Sequence, residues 1–208
     1  MNKFFSILLL LAGSSAVPLY DHAKSDVAIY SKLNFEKQVS KNRDKGISIV
    51  HYYSSEEASR DMKSSYEQFA TENKGIFRIG SVNCDDHGDI CKKEGVSSYP
   101  TVRIYPTFPI PTQDIDLSKG FEINKLKKAA GRFVGDASIE ITGKNHQTFV
   151  SEDVMTPKVL LFTNAKKGTP FVYKALSSNF QVSGSIETIR SNQLLDCFSA
   201  ENSSVRYH

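Results

Sequence analysis

Several things that would fix the chemistry of this 208-residue chain are missing from it. Three cysteines are present, Cys84, Cys91 and Cys197, and no two are separated by only two residues, so a Cys-x-x-Cys dithiol is excluded. Tryptophan is absent altogether. No apolar run is long enough to cross a bilayer as a helix. The net charge of +3 is spread along the chain without a basic tract or aromatic–basic interleaving, which argues against a nucleic-acid partner. Lys166-Lys-Gly-Thr-Pro170 lacks the spacing of a phosphate loop and reads as a basic turn. His87 lies between Cys84 and Cys91, but two cysteines and one histidine need a fourth zinc ligand. Asp85, Asp86 and Asp89 are at hand and read more simply as a solvated turn, so no metal or cofactor is expected. The chain ends in Val-Arg-Tyr-His, without a Lys-Asp-Glu-Leu-type retrieval signal.

What is present begins with a leader. Lys3, the apolar run Phe4 to Ala12 and the small residues Ser14-Ser15-Ala16 follow the order of a secretory signal, predicting cleavage after Ala16. A buried apolar strand is the alternative. Three cysteines suit the oxidising compartment that such a leader implies. Asn202-Ser-Ser204 is a formal glycosylation acceptor. The expected location is the endoplasmic reticulum lumen or the secreted fraction.

Along the rest of the chain the patterning alternates between strand and helix. Val27 to Tyr30 reads as a strand, Asn34 to Ser40 as a helix, and Ile47 to Tyr53 as a strand covered on both faces. Ser54 to Asn73 is helical in period, with Ser54-Ser-Glu-Glu57 as a capping box. Phe77 to Val82 is a strand, His87 to Glu94 a helix stopped by Gly95, and Thr101 to Tyr105 a strand. Three prolines make Pro106 to Pro111 irregular; Ile115 to Leu117 then extends the sheet, and Ile123, Leu126, Ala130 and Phe133 mark a closing helix. After Gly135-Asp136-Ala137 the pattern restarts: strands at Ile139–Thr142, Lys158–Thr163 and Ser185–Ile189, helices at Asn145–Val150, Phe171–Phe180 and Asn192–Phe198. The expected organisation is a signal segment 1–16, a first domain 17–135 and a partial second unit 136–208.

Four segments, Val50-His-Tyr-Tyr53, Val82-Asn-Cys-Asp85, Cys91-Lys-Lys-Glu-Gly-Val96 and Ser98-Tyr-Pro-Thr101, stand in the order and spacing of an a-type domain of the protein disulfide isomerase family. The sequence resembles that family over roughly residues 25 to 135. The resemblance implies an α/β thioredoxin-like fold, a central mixed sheet flanked by helices, with an incomplete second thioredoxin-like unit behind it. Where the family carries Trp-Cys-Gly-His-Cys, this chain has Glu-Glu-Ala-Ser. The two lost thiol positions fall on Glu56 and Ser59 in one register and on Glu57 and Arg60 in the other. His51 stands in the place of the family's buried glutamate, and Ser64 in that of its helix proline. Carboxylates in the first turn complement the same dipole that would favour a thiolate.

The resemblance further implies a non-catalytic Cys84–Cys91 bridge, with two free thiols as the alternative. It makes Tyr99-Pro100 a cis-proline bordering a peptide groove, with a plain turn as the alternative. The candidate peptide-contacting residues are then Tyr52, Tyr53, Ser55, Ser98, Tyr99 and Pro100. Cys197 is expected as a buried apolar residue, or as a partner in an intermolecular disulfide. The implied function is a redox-inactive protein that binds unfolded polypeptides or a secretory-pathway partner and assists folding. Two alternatives stay open: thiol–disulfide exchange through the remaining cysteines, and assembly through an open sheet edge.

Overall fold

The computed structural model describes residues 18–141, 144–151, 159–162, 169–180 and 186–189. The leader, Cys197, Asn202, the expected helix 192–198 and most of the 166–170 turn lie outside the described residues. The first sheet has five strands: β1 (Ala28–Tyr30), β2 (Ser48–Tyr53), β3 (Arg78–Asn83), β4 (Thr101–Tyr105) and β5 (Gln113–Asp114), in the order β1-β3-β2-β4-β5. β1 and β2 run parallel to β3, and β4 is antiparallel to both β2 and β5.

β2 is central and every one of its residues is buried. The two-residue strand period sends Ile49, His51 and Tyr53 to one face and Val50 and Tyr52 to the other. On the first face they meet Met62, Tyr66, Phe69 and Ala70 from the segment after β2, and Leu126, Ala129 and Ala130 of α5 (Ile123–Gly131). α5 follows α1 (Phe35–Gln38), α2 (Glu57–Asp61), α3 (Lys63–Glu72) and α4 (Gly88–Lys93) in chain order. On the second face Val50 and Tyr52 pack with Phe35 and Val39, and with Ile90 and Cys91 of α4. Tyr66 ties α3 to the sheet, because its buried hydroxyl donates toward the carbonyls of Gly80 (2.9 Å) and Ile49 (3.2 Å). Gly80 has no side chain for a packing reason: a Cβ there would sit 2.3 Å from the Tyr30 ring. Gly95 ends α4 at φ +69°, a conformation glycine adopts without steric cost.

The helix expected from Ser54 to Asn73 is interrupted. α2 ends at Asp61 and α3 begins at Lys63, with Met62 between them buried against the first core. The last strand of the sheet lies at Gln113–Asp114, two residues earlier than expected, where Asp114 takes a two-point ion pair from Arg103 of β4 (2.5 and 2.8 Å). Ile115 is buried just beyond it, its N–H donating to Val102 at 2.9 Å.

The second sheet is built from β6 (Glu140–Ile141), β7 (Val159–Phe162) and β8 (Ile186–Ile189), all parallel, in the order β6-β8-β7. With α6 (His146–Ser151) and α7 (Phe171–Phe180) it repeats the β1-β3-β2 half of the first sheet. The apolar core runs on across the 135–137 segment. Ala175 of α7 is buried in the first core, and the Phe171 ring lies 6.1 Å from that of Phe77. The Ala137 N–H donates to Ser177 Oγ at 3.1 Å.

Candidate functional site

The site is the junction where β2 delivers the chain into α2. Ser54 is not the N-cap. The helix begins at Glu57, Glu56 is its extended N-cap residue (φ −62°, ψ 148°), and no side chain caps it. Ser54 Oγ instead accepts from the Glu56 N–H at 3.4 Å, so the expected capping box does not form. The donor ahead of the helix is met from elsewhere: the Ser55 N–H donates to Asp85 Oδ2 at 2.7 Å, across from the β3–α4 loop. Arg60 folds back from the next turn to donate to the Ser55 carbonyl at 3.0 Å. The junction is therefore held from both sides without sulfur.

Both registers for the expected thiol positions lie on this junction and differ in burial. Ser59 is fully buried, whereas Glu56, Glu57 and Arg60 are exposed. The pair Glu56/Ser59 thus spans one exposed and one inward-facing position. Ser59 Oγ has no hydrogen-bond partner among the described residues, at a cost of about 1–3 kcal/mol for such a group.

His51 lies beneath this junction, fully buried. Its Nδ1 is 2.6 Å from the Tyr20 hydroxyl, and its ring lies 5.2 Å from Tyr66 and 5.7 Å from Tyr53. Burial penalises the imidazolium and depresses its pKa to about 3. The ring is neutral at physiological pH, and a neutral imidazole bonded to a buried phenol is not a titrating carboxylate. Burial also raises the Tyr20 pKa well above that of free tyrosine, so the phenol keeps its proton.

Two clefts flank α2. One, of about 440 Å³, is lined mostly by polar residues, Ser54, Ser55, Arg60, Lys63, Asn83 and Asp85, together with Pro18, Leu19 and Tyr53. The other, of about 480 Å³, is mostly apolar, with Ala58, Met62, Pro100, Leu117 and Phe121 joined by Asp61, Ser65 and Ser118. The Tyr99–Pro100 bond is cis, as is Phe108–Pro109. Next to Pro100, the backbone N–H and C=O of Tyr99 carry no hydrogen bond among the described residues. Ser98 is exposed, and its carbonyl accepts from Thr101 Oγ1 at 2.7 Å.

The six expected peptide-contacting residues do not converge. Pro100 lines the apolar groove, whereas Ser55 and Tyr53 line the polar cleft on the other side of α2. Tyr53 is 3% exposed, and its hydroxyl accepts from the Leu19 N–H at 3.3 Å. Tyr52 reaches neither cleft. It is fully buried on the opposite face of the sheet, where its hydroxyl bonds to that of Tyr105, which in turn donates to Glu94 at 2.8 Å. Tyr99 packs partly against that same second core. Strand alternation is the reason: Tyr52 and Tyr53 are neighbours in sequence and face opposite ways.

Cys84 and Cys91 are joined, with Cα atoms 5.9 Å apart, and both are buried. The bridge fastens the end of β3 to α4. Of the nearby carboxylates, Asp85 holds Ser55, Asp86 accepts from Asn83 within the turn at 2.6 Å, and Asp89 pairs with Lys32 at 3.1 Å. Sequence reasoning missed Asp85 and Tyr20, whose partners lie 30 and 31 residues away.

Comparison with known proteins agrees with this geometry. The thioredoxin family model matches residues 26–128. The chain is 26% identical over 166 residues to "Probable protein disulfide-isomerase A6" of Medicago sativa, covering 77% of this chain and 43% of that protein. It is 31% identical over 106 residues to "Protein disulfide isomerase-like 2-2" of Oryza sativa subsp. japonica, covering 50% of this chain and 28% of the relative. The chain spans less than half the length of either relative. A crystal structure of ERdj5 (form II) superposes with a TM-score of 0.62 at 18% identity, over 89% of this chain and 25% of that one, a likeness of fold.

Proposed function

The chain belongs to the protein disulfide isomerase-like thioredoxin-domain proteins, and on that premise we propose that it assists protein folding by binding, without dithiol chemistry. The observation that carries this reading is the junction itself. Glu56, Glu57, Ser59 and Arg60 supply no thiol there, Asp85 and Arg60 hold the loop, and a mostly apolar groove stays open beside cis Pro100. An extended segment of an unfolded chain fits such a groove, with side chains against Met62, Leu117 and Phe121 and its backbone within reach of Tyr99. The buried Cys84–Cys91 bridge is a fastening of the fold in this reading, not an exchanging pair. The leader-like segment 1–16 and the bridge both support a lumenal or secreted protein.

The test is a fluorescence-anisotropy titration with a reduced and alkylated polypeptide, which has no thiol to exchange. Saturable binding, competed by other unfolded chains and not by folded proteins, is the expected result. No binding of the alkylated chain, together with capture of an unalkylated one through a mixed disulfide, overturns the reading.

A further inference from the structure

The surface of α2 is divided by charge. Arg60 turns to the Ser55 carbonyl and lines the polar cleft with Lys63. Asp61 lines the apolar groove on the other side. Glu57 precedes Asp61 by four residues and so shares its helix face, one turn nearer the helix start. Both carboxylates are exposed, and neither is in an ion pair among the described residues. No lysine or arginine lines the groove; Lys119 sits between Ser118 and Gly120 in sequence but is not among the lining residues. Arg60 of α2 and Lys63 at the start of α3 thus line one cleft, and Asp61 of α2 lines the other.

We propose that the groove selects its client by charge: it takes extended segments in which a bulky apolar side chain lies next to lysine or arginine. The apolar side chain seats against Met62, Leu117 and Phe121, and the neighbouring cation meets Asp61 and Glu57. This rests on the peptide-binding reading above and adds to it the class of sequence that is bound. Apolar segments flanked by acidic residues meet like charge at the same rim and are disfavoured. Exposed ion pairs are individually weak, so the groove supplies most of the affinity and the carboxylates supply the discrimination.

Three labelled peptides of equal length test it by anisotropy: one apolar and lysine-rich, one apolar and glutamate-rich, and one serine- and lysine-rich. At low ionic strength the apolar basic peptide binds roughly 3–10-fold more tightly than the apolar acidic one, and the difference shrinks at high salt. The polar basic peptide binds weakest. The double variant Glu57→Gln, Asp61→Asn abolishes the preference, and Glu57→Lys with Asp61→Lys reverses it. These are surface positions, so circular dichroism of the variants stays unchanged. Equal binding of both apolar peptides at low salt overturns charge selection while leaving the groove intact. So does a preference that survives in the double variant. A polar basic peptide binding as tightly as the apolar basic one overturns it too, because the groove then plays no part. If none of the three binds, the peptide-binding reading falls and this inference with it.

Discussion

The two sides of α2 start from the same backbone and end in opposite states. On the polar side the donors and acceptors of the junction are engaged: Asp85 takes the Ser55 N–H, Arg60 gives to the Ser55 carbonyl, and Tyr53 accepts from Leu19. On the side of Pro100 the lining side chains are apolar or solvated, and the Tyr99 backbone is unengaged among the described residues. The free backbone donor ahead of the helix is met by a carboxylate from a neighbouring loop. On the groove side the Tyr99 backbone groups are not met by the described residues, so that side remains available. The closed side should therefore govern stability and the open side binding, and the two should separate under mutation.

The largest expected effect comes from beneath the closed side. His51 titrates near pH 3 in the folded protein, against about 6.5 in an unfolded chain. Its folded pKa is depressed, so the unfolded state binds the extra proton. This contribution is fully present above pH 6.5 and is lost as pH falls toward 3. Between pH 7 and pH 5 the loss amounts to about 2 kcal/mol, measurable by urea unfolding at the two pH values. His51→Leu flattens that slope; an unchanged slope shows that other groups set it. Tyr20, Tyr53 and Tyr66 face the ring from the packed elements and stay neutral over this range, burial raising the pKa of each.

Next in size is a block of the open side. Ala58 is exposed and lines the groove, and arginine is a good helix former, so Ala58→Arg leaves stability within about 0.5 kcal/mol. Binding of the alkylated polypeptide falls at least about tenfold, a loss of about 1.4 kcal/mol. The smallest effect is the reciprocal one. Asp85→Ala removes the acceptor from the Ser55 N–H and costs about 0.5–1 kcal/mol in the unfolding free energy, with affinity for the polypeptide unchanged. If Asp85→Ala weakens binding as much as Ala58→Arg does, the two sides are one site and the contrast fails.

Much of this was legible in the sequence, for identifiable reasons. The run Ile47 to Tyr53 reads as a doubly covered strand because all its apolar and aromatic residues are interior, and it is the central strand. Phe171–Phe180 matches its helix to the residue, since its periodicity is uninterrupted. The family resemblance implies a cis-proline at Tyr99-Pro100, with a plain turn as the alternative, and the bond is cis. Most of the differences come from contact across the chain. The local Ser54–Glu57 pattern suggests a cap, but the helix begins at Glu57, Ser54 Oγ accepts from the Glu56 N–H, and a carboxylate 30 residues downstream takes the Ser55 N–H. Tyr52, expected at the groove, lies on the face opposite His51, as the two-residue strand period dictates. The boundary near residue 135 marks where the pattern restarts, yet Phe171 and Ala175 carry the first core past it, and no local signal announces that.

The most direct measurement is insulin reduction by the natural chain beside a Glu56→Cys, Ser59→Cys variant, each with glutathione as reductant. The account predicts that the natural chain adds nothing to the rate of the reductant alone, and that the variant turns over, because the junction still presents an exposed and an inward position at the correct spacing. Turnover by the natural chain comparable to that of the variant would contradict it.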